Sequence, residues 1–302
     1  MFHPNFRIAG MPEAVALLLL SAIWGYNFVV LKQVLAYVDP FVFTAMRTLL
    51  GAFSLFAFAW ATGRKLPLPH WKPMISLGLL QTAAFGVLIQ LALVTGDAGR
   101  TVVIVYSMPF WLVALAAVFL GERLGKVAWL AVLGAAAGLT LILQPWAGDA
   151  PARLGAMLAL LAGATWAVAA IIARKSPRRK GESLLALTVW QMLLGGVVMS
   201  LIVLVLPVEP IIPTAYFWGA LFYSSVFATG IAWFLWLFIL ERMSAGSAGL
   251  STLLVPVVGI FASWLQLGEK PDLVTGIGMV SILVSLAVLS AVNLRKTAQT
   301  RR

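Results

Sequence analysis

The chain has 302 residues and no cysteine. That removes disulfides, thiolate metal sites and cysteine nucleophiles. Charge is scarce too. Asp, Glu, Lys and Arg make up 10% of the residues, where a soluble domain carries about 25%. Both histidines, His3 and His70, lie outside the apolar stretches. The acidic residues Glu13, Asp39, Asp97, Glu122, Asp149, Glu182, Glu209, Glu241, Glu269 and Asp272 all fall at the ends of those stretches or between them. A catalytic centre inside an apolar stretch needs a nucleophile–base pair or a metal cluster, and no His, Cys, Asp or Glu is available there. No enzymatic activity, metal or cofactor is therefore expected.

What the chain has instead is apolar surface, with 62% of its residues hydrophobic. Such a chain cannot cover itself with a water-compatible exterior, so lipid must be its solvent. A helix needs about 20 apolar residues to cross the hydrocarbon core. Ten candidate spans satisfy this, near 12–35, 40–62, 73–95, 99–120, 125–144, 152–174, 183–206, 214–240, 246–267 and 271–293. The start of the chain does not read as a secretory signal, and the first span is expected to be retained. The net charge of +11 could suggest nucleic acid, but the basic residues lie between spans and form no face. With the N-terminus inside, sixteen of the 21 basic residues fall on the inner side, four on the outer side, and Arg47 within a span. The positive-inside rule then predicts cytoplasmic N- and C-termini. The basic run from Arg174 to Lys180 reads as an orientation signal that also contacts anionic lipid heads.

The chain also resembles itself. The segment 109–123 aligns without gaps with 256–270, and Gly99, Pro109, Leu120, Gly121 and Glu122 match Gly246, Pro256, Leu267, Gly268 and Glu269. Trp24 stands opposite Trp166, and Leu49-Leu50-Gly51 opposite Leu193-Leu194-Gly195. Five spans per repeat is an odd number, so the second copy enters the membrane from the other side. Inverted repeats are a signature of alternating-access transporters, with the substrate near the midplane between the halves. The repeats are expected at 1–148 and 149–302.

Ten spans, a Trp in the first span of each half, the Pro-to-Leu-Gly-Glu run twice and an Arg in the second span resemble the drug/metabolite transporter superfamily in its EamA-type branch. Within that branch the chain is most similar to the YddG-type exporters of aromatic and other amino acids. The resemblance implies an all-α, basket-like bundle with a central cavity, and export from the cytoplasm through the bacterial inner membrane. A same-fold exporter of another metabolite or drug is the alternative, although the absence of a mid-span carboxylate counts against cations. The same absence predicts facilitated efflux without an obligatory membrane proton carrier. The expected partners are small-molecule amino acids and the lipid bilayer, with no nucleic acid, and the protein is expected to be a monomer.

Polar and aromatic residues sharing helical faces mark a candidate cavity. They are Trp24 and Asn27 with Phe28 and Leu31 in the first span, Gln81 and Phe85 in the third, and Tyr106 in the fourth. Trp166 in the sixth, Trp190 beside Gln191 in the seventh, and Ser251 beside Thr252 in the ninth complete the set. Such walls suit a zwitterionic or aromatic solute through stacking, cation–π contacts and neutral hydrogen bonds. Each has a purely structural counterpart: Asn27 and Gln81 as glue between helices, the Trp rings as packing. Trp60, Trp71, Trp129 and Trp146 sit at span ends and read as interfacial anchors. Arg47 reads as a structural tie to backbone carbonyls, as a gate partner for Asp39 or Asp97, or as a contact to a substrate carboxylate. Pro109 and Pro256 interrupt their helices' hydrogen-bond ladders and are expected at matched static kinks or hinges. Gly134 and Gly138, with Gly276, Gly278 and Ser281, are expected to pack spans within one monomer.

Overall fold

The computed structural model describes residues 13–120, 125–144, 146, 150–175, 183–242 and 254–300, and every regular element among them is helical. Eight helices are long and apolar enough to cross a bilayer. Two shorter apolar helices, Leu254–Leu267 and Leu273–Leu289, complete ten spans in the places the hydropathy predicts. We number them 1 to 10. Their outward faces carry large apolar side chains, among them Phe53, Leu130, Leu201, Phe222 and Leu265, as a lipid-facing surface requires. Trp60, Trp71, Trp129 and Trp146 are all exposed at span ends.

Local sequence explains where the helices start. Asp39 caps span 2 (Pro40–Ala61), its carboxylate accepting from the Phe41 and Val42 amides at 2.8 and 3.4 Å, with Pro40 at the first helical position. Ser183 caps span 7 (Leu184–Val203) through the Ala186 amide at 3.0 Å. Thr214 caps span 8 (Ala215–Trp236) through the Phe217 amide at 3.2 Å. Span 4 (Ala98–Phe119) is broken. One helix ends at Val105, Tyr106 and Ser107 form a turn, and a second starts at Met108. Pro109 therefore occupies the first turn of the second segment, where its missing N–H would have had no partner. Pro256 lies within Leu254–Leu267.

Hydrogen bonds at the span ends fix the alternation of directions. Lys32, late in span 1 (Val15–Val34), donates to the Leu93 and Gly96 carbonyls at 2.6 and 2.9 Å, at the end of span 3 (Trp71–Thr95). Arg100, at the start of span 4, donates to the Ile142 carbonyl at the end of span 5 (Lys126–Leu143). We call this the far face.

The most extensive contacts join spans of opposite halves: 1 with 9, 4 with 6, 2 with 7 and 8, 3 with 6 and 7, 4 with 9, and 5 with 10. Almost every pairing has its counterpart when the halves are exchanged. This is the packing of two inverted five-helix repeats. Spans 5 and 10 approach through glycine. A Cβ on Gly138 would lie 2.7 Å from the Gly278 carbonyl oxygen, and one on Gly278 2.7 Å from that of Gly138. Ser281 adds a hydrogen bond to the Gly134 carbonyl at 2.9 Å, while Gly276 faces open space.

One feature of the backbone has no precedent in the hydropathy pattern. Span 3 contains a π-helical stretch, Gly78–Ala84, and span 8 another, Tyr223–Ile231. Each lies in the third span of its half and packs against the second span of the other half. The wider π turn rotates the side chains that follow it, and π segments occur often at functional sites. Glycine receives both joints. A Cβ on Gly51 would overlap Thr229 Cγ2, and one on Gly195 would sit 2.7 Å from Thr82 Cβ and 2.6 Å from the Gly78 carbonyl oxygen.

Candidate functional site: a central aromatic cavity

A cavity of about 850 Å³, mouth included, lies between the halves. Span 1 contributes Trp24, Asn27, Phe28 and Leu31; span 2 Arg47 and Thr48; span 3 Gln81, Thr82, Phe85, Gly86 and Ile89. From the turn in span 4 come Tyr106 and its neighbours Val105 and Met108. Trp166, Met192, Ala228, Thr229 and Trp233 close the wall from the second half. Both π segments thus face the cavity.

The aromatic side is a continuous run of rings. Trp24 meets Trp236 at 6.1 Å and Trp233 edge-on at 6.0 Å. Trp233 stacks on Trp166 at 5.7 Å, and Trp166 meets Phe85 at 4.8 Å. Trp24 is held in place by its indole N–H, which donates to the Ala228 carbonyl of the second π segment at 3.0 Å. The Ser224 hydroxyl donates to Asn27 Oδ1 at 3.0 Å, which orients the amide. A water-excluding wall of this kind strengthens any hydrogen bond made inside it.

Of the residues the sequence singles out, Trp24, Asn27, Gln81, Phe85, Tyr106, Trp166 and Arg47 line this one cavity. Trp190 does not. Its indole N–H donates to the Leu66 carbonyl at 3.2 Å, in the connection between spans 2 and 3. Gln191 is buried off the cavity wall. Ser251 and Thr252 lie outside the described residues. Sequence reasoning missed Trp233, Met192, Thr48, Thr82 and Thr229. The repeat carried a signal for the last two, because Thr82 and Thr229 are separated by the same 147-residue shift that relates Gly99 to Gly246.

The far face beyond the cavity is tied across the halves. The Glu269 carboxylate accepts from the Ala98 and Gly99 amides at 2.8 and 3.3 Å and from the Ser263 hydroxyl. Gly268, with φ +69°, supplies the left-handed turn that brings Glu269 there. Gln33 accepts from the Tyr216 hydroxyl at 2.7 Å and from Gln266 Nε2 at 2.8 Å, while Tyr26 donates to Gln266 Oε1 at 2.9 Å. Spans 1, 8 and 9 are therefore joined at that end.

Comparison with known proteins agrees with this architecture. The family model described as "EamA-like transporter family" matches residues 11–144 and 153–291. A probable amino-acid metabolite efflux pump of Salmonella typhimurium is 30% identical over 297 residues, covering 93% of this chain and 96% of its own. Its Escherichia coli namesake is 29% identical over 287 residues, covering 91% and 94%. The uncharacterized transporter YoaV of Bacillus subtilis is 25% identical over 256 residues, covering 83% and 87%. A solved crystal structure superposes with a TM-score of 0.64 at 20% identity, covering 93% of this chain and 98% of that one. At that identity the likeness concerns the fold.

Proposed function

Since the chain belongs to the EamA-like transporter family, we propose that it exports amino acids, aromatic and other neutral ones, by alternating access. The observation that carries this reading is the cavity between the halves, with aromatic walls, neutral hydrogen-bonding groups and no carboxylate among its lining residues. An amino acid side chain stacks among Trp24, Trp166, Trp233 and Phe85, and its polar end meets Asn27, Gln81 and Tyr106. Similarity to two proteins named as probable amino-acid metabolite efflux pumps supports the same solute class. With no acid in the wall to carry a proton, movement down the solute's own gradient is the simplest mechanism.

The repeats meet at 148/149, both termini lie in the bacterial cytoplasm, and the working unit is a monomer in the inner membrane. Exchange of the two packings at the second-span/third-span joints turns the cavity from one side to the other. The break beside Pro109 lets span 4 follow that motion, with Pro256 as the matched hinge of span 9. Efflux of labelled L-phenylalanine and L-leucine from liposomes holding the purified protein tests the proposal. Efflux above protein-free vesicles, equal with and without a pH gradient, is expected. Efflux that requires the gradient refutes the uncoupled mechanism, and no efflux of any amino acid refutes the substrate class.

A further inference from the structure

The hydrogen-bonding capacity of the cavity is lopsided. Arg47 brings a positive charge into the wall, and its Nε is buried without a hydrogen-bond partner. Among the described residues nothing accepts a hydrogen bond from its guanidinium. The two acids that could have balanced it are placed elsewhere. Asp39 is occupied capping span 2, and Asp97 lines a separate small pocket at the far face with Arg100 and Glu269. A structural tie would show Arg47 bonded to backbone carbonyls, and no described carbonyl receives it.

Three other hydrogen-bond donors, on Tyr106, Asn27 and Trp166, line the same cavity. The Tyr106 side chain is 5% exposed, and its hydroxyl donates to no described residue. The Ser224 hydroxyl engages Asn27 through Oδ1, so the contact does not use its Nδ2 donor. The Trp166 indole N–H has no described acceptor, unlike that of its repeat counterpart Trp24, which the Ala228 carbonyl occupies. An unpaired charge inside a membrane is costly. An anionic acceptor arriving with the solute removes that cost.

We infer that Arg47 is the anchor for the solute's carboxylate, so that the cavity selects solutes bearing a free carboxylate over their amides, esters and decarboxylated amines. The planar guanidinium can take both carboxylate oxygens at once, while Tyr106 and Asn27 donate from the side. Gly86 lies beside the guanidinium, since a Cβ there would come into ordinary contact with Arg47 Nη2 at 3.4 Å. The inference rests on the proposed amino-acid substrate and adds the chemical group by which it is recognised.

The test is competition for labelled L-phenylalanine bound to the purified full-length protein, with L-phenylalaninamide as competitor. A charge-assisted hydrogen bond is lost with the amide, so the wild-type protein should prefer the acid by about thirtyfold. In Arg47→Gln that preference should fall below about threefold, because the acid loses affinity while the amide keeps its own. Arg47→Lys retains the charge without the fork and should give an intermediate preference. An acid-to-amide ratio near one on the wild-type protein overturns the inference without recourse to any variant. So does a ratio that Arg47→Gln leaves unchanged. Failure of the wild-type protein to bind any amino acid overturns the proposed substrate, and this anchor with it. Equal binding of acid and amide overturns the anchor alone.

Discussion

Alanine at Gly51 or Gly195 should destabilise this protein, although alanine is the better helix former. In an open helix position the exchange gains up to about 1 kcal/mol. At Gly51 the new methyl group overlaps Thr229 Cγ2 and lies 2.6 Å from Thr229 Cβ. At Gly195 it lies 2.7 Å from Thr82 Cβ and 2.6 Å from the Gly78 carbonyl oxygen. Both contacts are with helical spans that cannot simply swing aside, so either a span moves or the helix bends. Overpacking of this kind costs about 1–3 kcal/mol. Net of the propensity gain, each variant should lose up to about 2 kcal/mol. The two joints share no residue, so the double variant should lose about the sum of the two.

Gly219 supplies the control with the opposite sign, because a Cβ there meets nothing within 4 Å. Gly219→Ala should therefore be neutral or slightly stabilising. The assay is loss of the monodisperse peak on heating in detergent, followed by size-exclusion chromatography. Because membrane proteins often unfold irreversibly, the order of the variants is the informative quantity. Gly51→Ala and Gly195→Ala as stable as Gly219→Ala would refute the argument that the halves lock through these joints.

Three further outcomes are expected. Gln90 is fully buried with neither Nε2 nor Oε1 hydrogen-bonded, so Gln90→Met should raise the midpoint of the same heating assay and leave amino-acid efflux unchanged. Asp272 is held below its ordinary carboxyl value of 3.8, chiefly by the Thr275 side-chain hydrogen bond, aided by the Thr275, Val274 and Gln144 donors. Its stabilisation is present above the unfolded value and disappears as pH falls through the lower folded one, so wild-type thermal stability should decline over that acidic interval and Asp272→Asn should flatten the decline. Trp24→Ala and Trp166→Ala should each lower efflux at least tenfold with folded protein retained, whereas Trp190→Phe, altered off the cavity wall, should leave efflux near wild type.

The ten spans were legible because apolar runs of membrane length between charged breaks admit few readings. The turn at Tyr106 and Ser107 was legible from Pro109, although the helix restarts there instead of bending through. The face of span 1 was legible because helical spacing holds along it up to the cavity. The two π segments were not, since neither Gly78–Ala84 nor Tyr223–Ile231 carries a charge or a proline that would mark a change of helix type. Their wider turns shift the register that places Trp233 and Thr229 on the wall, so a strict 3.6-residue period points them elsewhere. Trp190 lies off the wall for another reason. A half-polar indole in mid-sequence of a span looks the same whether its N–H meets a solute or, as here, a loop carbonyl. The missing partner of Arg47 could not be read from sequence, because it depends on where every acid in the fold ends up.

The claim on which all of this depends is that a single pocket, walled by both halves, is the path the solute takes. A chain without cysteine allows it to be tested with single thiols. Gln81→Cys from the first half and Met192→Cys from the second line that pocket, while Phe53→Cys faces lipid. With a charged, membrane-impermeant thiol reagent, the two pocket cysteines should be modified and saturating L-phenylalanine should protect both, while the lipid-facing one stays unmodified. Modification of either pocket cysteine at the same rate with and without the amino acid, in protein that still transports it, would contradict the account.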